Sequence, residues 1–215
     1  MRYAFILNSA ATLGIALSFF ASCESSKTVN YVAANAAHDQ EVHVEIPQDS
    51  WEPIFFREID RRTTLAKLLR LRSMVLANGD LEARFWVDAS YFGMDGIIVR
   101  RSSGIWSGTY IHGFSRKPDF KQYDDQLQQP RSGWDKAWQR LTEAGLLTLP
   151  DASKVGCKVG GKDGIVFVFE TNVNRTYRTY MYNDPAYAQC NEAKQMLNII
   201  SIINQEFGLQ WPTTK

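Results

Sequence analysis

The stretch DGIVFVFETNVNRTYRTYMYND, residues 163–184, gives the clearest reading of the fold. Two runs, Ile165–Glu170 and Arg175–Tyr182, are rich in β-branched and aromatic residues. The Asn-containing link TNVN between them reads as a turn, so the segment is expected to form an antiparallel hairpin. Folding the chain back about residue 173 brings Cys157 to within one position of Cys190, at the hairpin's open end. Alternation along the second strand puts Arg178, Tyr180 and Tyr182 on one face and Tyr177 on the other. If the first face is open, these Tyr and Arg side chains would form a binding surface for a protein, peptide or glycan. If instead the rings cover the core, Arg178 snorkels at its edge.

Working outward, EVHVEIP at 41–47 alternates Val42, Val44 and Ile46 with Glu41, His43 and Glu45, a short strand stopped by Pro47. Ser50 can cap a helix running from Trp51 through Phe55 and Ile59, and Thr64 a segment holding Leu65, Leu68 and Leu69. After the Asn78–Asp80 turn, LEARFWVDA sets Ala83, Phe85 and Val87 against Glu82, Arg84 and Trp86. GIIVRRSSGIWSGTYIHGF reads as a second hairpin around SSG. The polar segment 115–131 is long for a connection.

Ser132 with Asp135 resembles a capping box for a helix that places Trp134, Trp138 and Leu141 on one face and stops at Gly145. A last helix is expected from Asp184 as N-cap and Pro185, with Cys190, Ala193, Leu197, Ile200 and Phe207 as its buried stripe, ending at Gly208. The sum is an α+β class: an antiparallel sheet of about five strands with helices packed on one face.

The chain has 215 residues, enough for one core and one domain. Lys plus Arg is 24 and Asp plus Glu is 23; removing residues 1–22 takes away only Arg2, leaving 23 of each and no net charge. That balance gives no basic footprint for nucleic acid and no polybasic patch for anionic lipid.

The N-terminus has a different character. A short positive start, MR, precedes an apolar run that ends in small residues before Cys23, and the polar ESSKTVN follows. This is the layout of an export signal. Phe20-Ala21-Ser22-Cys23 resembles the lipobox of bacterial lipoprotein signal peptides, with Phe20 where Leu is usual. The resemblance covers residues 1–23 only. It implies cleavage before Cys23 and acylation of that cysteine with palmitate-type chains. The expected organisation is a signal peptide at 1–22, a flexible tether at 23–40 and a single domain at 41–215. Ordinary cleavage to a secreted soluble protein, or an uncleaved anchor, are the other readings of the same run. The chain has three cysteines; with Cys23 lipidated, Cys157 and Cys190 remain as a disulfide pair. Such a bridge contributes about 3 to 4 kcal/mol in the chain-entropy model.

Candidate chemistry is sparse. GCKVGGKD at Gly156–Asp163 departs from a phosphate loop at its last residue, where Asp163 replaces the magnesium-binding hydroxyl, and it precedes a strand rather than a helix. His38, His43 and His112 have no His or Cys at ligand spacing, so no metal or other cofactor is expected. Asn174–Thr176 fits a glycosylation sequon but reads as a turn. No G-x-S-x-G elbow is present.

Two functions stay in view. One is a non-catalytic, membrane-anchored envelope lipoprotein that binds or supports another component. The other is a hydrolase of an envelope polymer using His112 with carboxylates of the 115–131 segment, Asp119, Asp124 or Asp125. A deep pocket where His112 meets one of them would favour the hydrolase.

Overall fold

A computed structural model describes residues 41–44, 59–60, 63–64, 67–89, 93–114, 123–156 and 164–213. All of these lie in one compact unit, Ala33–Lys215. Cys23, the tether, Trp51, Phe55, Asp119 and Cys157 lie outside the described residues.

The hairpin at 163–184 forms, but its turn is centred between Asn174 and Arg175, later than the expected fold-back about residue 173. Strands β6 (Ile165–Val173) and β7 (Thr176–Asn183) pair from Val173↔Thr176 to Val166↔Asn183. Asn174 and Arg175 make a two-residue turn with φ of 52° and 62°. Positive φ at both positions matches the right-handed twist of the flanking strands. Strands β2 (Leu81–Ala89), β3 (Gly93–Ser102), β4 (Ile105–Phe114) and β5 (Tyr123–Gln126) extend the sheet, and β1 (Glu41–Val44) joins at the far edge. The order is β1-β7-β6-β2-β3-β4-β5, seven strands among the described residues rather than about five. Six are antiparallel, and β1 pairs with β7 in parallel. The count was low because β5 is YDDQ, four residues whose polar side chains give no apolar alternation.

Helices α1 (Trp134–Glu143) and α2 (Asn191–Phe207) cover one face. Ala83, Phe85 and Val87 of β2 meet Leu141, Met196, Ile200 and Ile203 there. Both helix starts differ from expectation. The residue before α1 is Gly133 rather than Ser132, and its φ of 84° is one that a residue with a side chain would find strained. Asp135 accepts instead from the Trp106 indole N–H at 2.8 Å. Asp184 has φ 45° and its carboxylate accepts from Ile165 N–H at 2.7 Å, closing the hairpin base. Pro185–Tyr187 makes only a 3-10 turn, and Cys190 is the cap of α2, its sulfur accepting from Ala193 N–H at 3.3 Å. The helix stops at Gly208, φ 68°, as expected.

The second face of the sheet is covered too, which corrects the one-sided expectation. Ile59 and Leu68 pack with Trp86, Ile98 and Ile111, and Leu71 and Met74 with Tyr177. Thr64 does not start a helix here. Thr63 and Thr64 are themselves helical, with hydroxyls donating to the carbonyls of Ile59 and Asp60. Lys67, at φ 53°, and the Leu68 N–H to Thr63 O bond of 2.8 Å close that helical stretch.

Beneath this cover lies a charged layer. Glu82 and Arg84 are both fully buried. Arg84 Nε donates to Glu82 Oε1 at 2.7 Å and Nη2 to Leu69 O at 2.8 Å; Arg100 Nε reaches Glu82 Oε2 at 2.6 Å. Beside them Glu170 accepts from Trp86 Nε1 at 2.8 Å and from the Tyr177 hydroxyl at 2.9 Å. Burial, then the Glu170 charge, push the Tyr177 phenol well above its ordinary range.

Glu206 of α2 ties the two helices together. It is buried, accepts from Ser132 N–H at 2.9 Å, and pairs with Arg140 of α1. Burial alone would raise its pKa, but the Ser132 bonds and the Arg140 charge outweigh it and hold the carboxyl below 4.5.

Two outcomes are expected. Arg84→Met leaves Glu82 buried with Arg100 alone and should cost about 3–5 kcal/mol, read from the urea midpoint. Glu206→Gln should cost about 1–3 kcal/mol at neutral pH. Because the folded-state pKa of Glu206 is depressed, its contribution is present above the unfolded value and is lost as pH falls through the folded one. The gap between wild type and Glu206→Gln should therefore close at acid pH.

Candidate functional site

Strand β4 positions the groups that carry chemistry. Alternation sends Trp106, Tyr110 and His112 toward the helix side, while Ile111 packs on the opposite face. Gly108 lies between Trp106 and Tyr110. A Cβ there would sit 2.7 Å from Cη2 of Trp134 and 2.9 Å from the Leu127 side chain, so the glycine lets α1 lie close on the strand. Trp106 then packs beside Trp134 and Trp138, each at 6.0 Å between ring centroids.

Further along, a bulge interrupts the pairing. Met94 faces Phe114 and Gly96 faces Ile111, so His112 and Gly113 stand opposite the single residue Asp95. A bulge of this kind re-aims side chains. The Tyr110 hydroxyl donates to Asp95 Oδ2 at 3.0 Å. Its ring lies against the His112 imidazole, with centroids 5.1 Å apart and planes at 15°. His112 Nε2 meets Asp125 Oδ2 at 2.8 Å, from the β5 residue that faces Tyr110. Burial first, then the Asp95 charge and hydrogen bond, raise the Tyr110 phenol far above 10.0.

The structure thus brings His112 and Asp125 together. Asp124 faces Ile111 in the β4–β5 register, and alternation sends its side chain to the face opposite Asp125. The meeting place is not a deep pocket: the side chains are 35% and 69% exposed. A pair this open contributes about 0.2–1 kcal/mol. Among the described residues, no group of three or more His, Cys, Asp or Glu could hold a metal ion.

The surface expected at Arg178, Tyr180 and Tyr182 is corrected. Tyr180 and Tyr182 are fully buried in the helix-side core. Their hydroxyls donate to Leu146 O at 2.9 Å and Pro150 O at 2.7 Å. Arg178 donates to Leu149 O at 2.6 Å, with its guanidinium 5.3 Å from the Tyr180 ring. These side chains fasten the connection after α1 to the sheet, which is the core-covering alternative with Arg178 at the edge.

Two residues of the β4 cluster escaped the sequence reading. Tyr110 could have been found, since it lies two positions before His112 in a strand. Asp95 could not, because the bulge that brings it into place leaves no mark in the composition.

Asp95→Asn is expected to lower the Tyr110 pKa while leaving it above 10.0, because the burial contribution stays. Carbon-13 NMR of ring-labelled tyrosine across alkaline pH measures this. Compared with protein-family models, curated proteins and solved structures, the chain matches none.

Proposed function

We propose that the protein is an exported lipoprotein, anchored in a membrane through acylated Cys23 and facing the periplasm or exterior. Its domain binds or supports another envelope component, a protein, peptide or glycan, without turning it over. The observation that carries the non-catalytic reading is the exposure of the His112–Asp125 pair, 35% and 69%. Hydrolysis of a glycosidic or amide bond calls for donors and acid–base groups held in a water-excluding site. The contact between the two residues is what favours the hydrolase alternative; their open position at the sheet edge weighs against it.

The anchor reading is supported by the apolar run ending in Phe20-Ala21-Ser22-Cys23 and by the polar stretch after it. No helix among the described residues is long and apolar enough to cross a membrane. A Cys157–Cys190 bridge belongs to the same reading. It is supported by the disulfide-bonded state of Cys190, and a lipidated Cys23 leaves Cys157 as its partner. Such a bridge would staple the cap of α2 to the base of the β6–β7 hairpin.

The intact mass of the membrane-extracted protein tests both assignments. The expected chain starts at Cys23, carries added acyl mass, and gains the mass of a hydrogen pair on reduction. A chain that keeps residues 1–22 and shows three free thiols would overturn the export reading.

A further inference from the structure

One end of the sheet differs from the other. The register links Glu41 to Thr176, Thr176 to Val173, Val173 to Leu81, Leu81 to Arg101, and Ser102 to Ile105. The start of β1, the β6–β7 turn, the start of β2 and the β3–β4 turn therefore lie together. The chain enters the sheet at Glu41, so whatever precedes β1 arrives at this end.

The same end carries an apolar tip. Ile105, beside the Ser103–Gly104 turn, is 73% exposed, the most exposed large hydrophobic side chain among the described residues. Val75, shortly before the Asn78–Gly79 turn, is 37% exposed. Asn172, one residue from the end of its strand pairing, donates to Met74 O at 2.7 Å and keeps Val75 at this end. Trp106 follows Ile105, with the Arg101 guanidinium 5.4 Å from its ring. Arg101 is held there by the Gly79 carbonyl at 2.9 Å. Arg175 is exposed in the adjacent β6–β7 turn. Of the acids at this end, Asp80 is engaged by Ser103 N–H at 2.7 Å and the Ser102 hydroxyl at 3.2 Å in the turn itself, and Asp135 by the Trp106 indole N–H at 2.8 Å. An aliphatic tip, an indole and guanidinium groups around it are the elements of a shallow membrane-interface contact.

We propose that this end of the domain, led by Ile105 and Trp106, rests on the phospholipid surface that holds the Cys23 anchor. The proposal builds on the lipid-anchor reading. From Cys23 to Glu41 a fully extended chain spans at most about 65 Å, so the domain stays near the surface throughout. A tethered contact needs little affinity of its own, because the anchor supplies the effective concentration. The contact then sets orientation: the sheet stands on its β3–β4 turn, and the opposite end, with Tyr187, points away.

The test uses the full, membrane-extracted chain reconstituted in vesicles of phosphatidylcholine with phosphatidylglycerol. Ile105→Cys and, at the other end, Tyr187→Cys each carry a thiol-linked fluorophore, and the lipids are brominated high in the acyl chain. Both positions are exposed, at 73% and 57%, so labelling leaves the core intact. Quenching at position 105 is expected to exceed that at 187 by at least about twofold. It should fall in Arg101→Ala and when phosphatidylglycerol is omitted. Equal, weak quenching at both positions, in a chain whose mass shows acylated Cys23, would overturn the docking and leave the anchor standing. Weak quenching in vesicles with position 105 shielded only in native envelopes would assign the tip to a protein partner and also overturn it. An unacylated Cys23 would remove the anchor reading and this proposal together.

Discussion

A guanidinium shut away from water constrains everything packed around it. Arg84 stands in the central strand β2 and is fully buried. Its charge is answered by Glu82 on the same strand and by the Leu69 carbonyl from outside the sheet. The second contact explains why residues 67–76 return across this face although their sequence has little apolar periodicity. Uncovered, the face would lose the Leu69, Leu71 and Met74 carbonyls that Arg84 and Asn172 now reach; covered, the layer is hydrogen-bonded apart from Arg84 Nη1 and Asn172 Oδ1. Asn172 extends the same logic by donating to the carbonyls of Met74 and Leu71.

On the opposite face the chain relies on aromatic bulk. Phe85, Phe169 and Tyr180 pack edge to face, and the buried tyrosines end on carbonyls of the connection after α1. Arg178 takes the Leu149 carbonyl between them. One strand thus grips three neighbouring carbonyls, 146, 149 and 150, and holds in place a segment with no strand or long helix of its own. Past the end of β1, Met181 N–H donates to Asp151 at 2.7 Å, so this sheet edge is closed where pairing stops.

Much of this was legible in the residues. The hairpin, the alternation of β2, the two-run pattern around SSG and the stop signals Gly145 and Gly208 all follow from local rules that tertiary packing respects. What failed to show was non-local. Glu82 and Arg84 look like a solvent face in an alternating strand, because sequence cannot reveal that another segment covers them. Asp124 and Asp125 look like loop residues, because an edge strand can be polar on both sides. Asp184 and Pro185 carry a helix-start pattern, yet the carboxylate is taken by Ile165 N–H and the helix begins later, at a cysteine cap. Of the candidate site, His112 and Asp125 were singled out and do meet, whereas alternation left Tyr180 and Tyr182 on either an open face or the core, and they are core.

The parallel placement of β1 has a mechanical consequence. Four residues pair with β7, and they run away from the end where the chain enters. Tension applied through that entry pulls β1 along its own axis, so its bonds to β7 are loaded in shear and share the force. Being short and at an edge, β1 yields before the broad β6–β2–β3 interior. Its release would lengthen the lead into the domain while the antiparallel pairing of the other six strands stays intact.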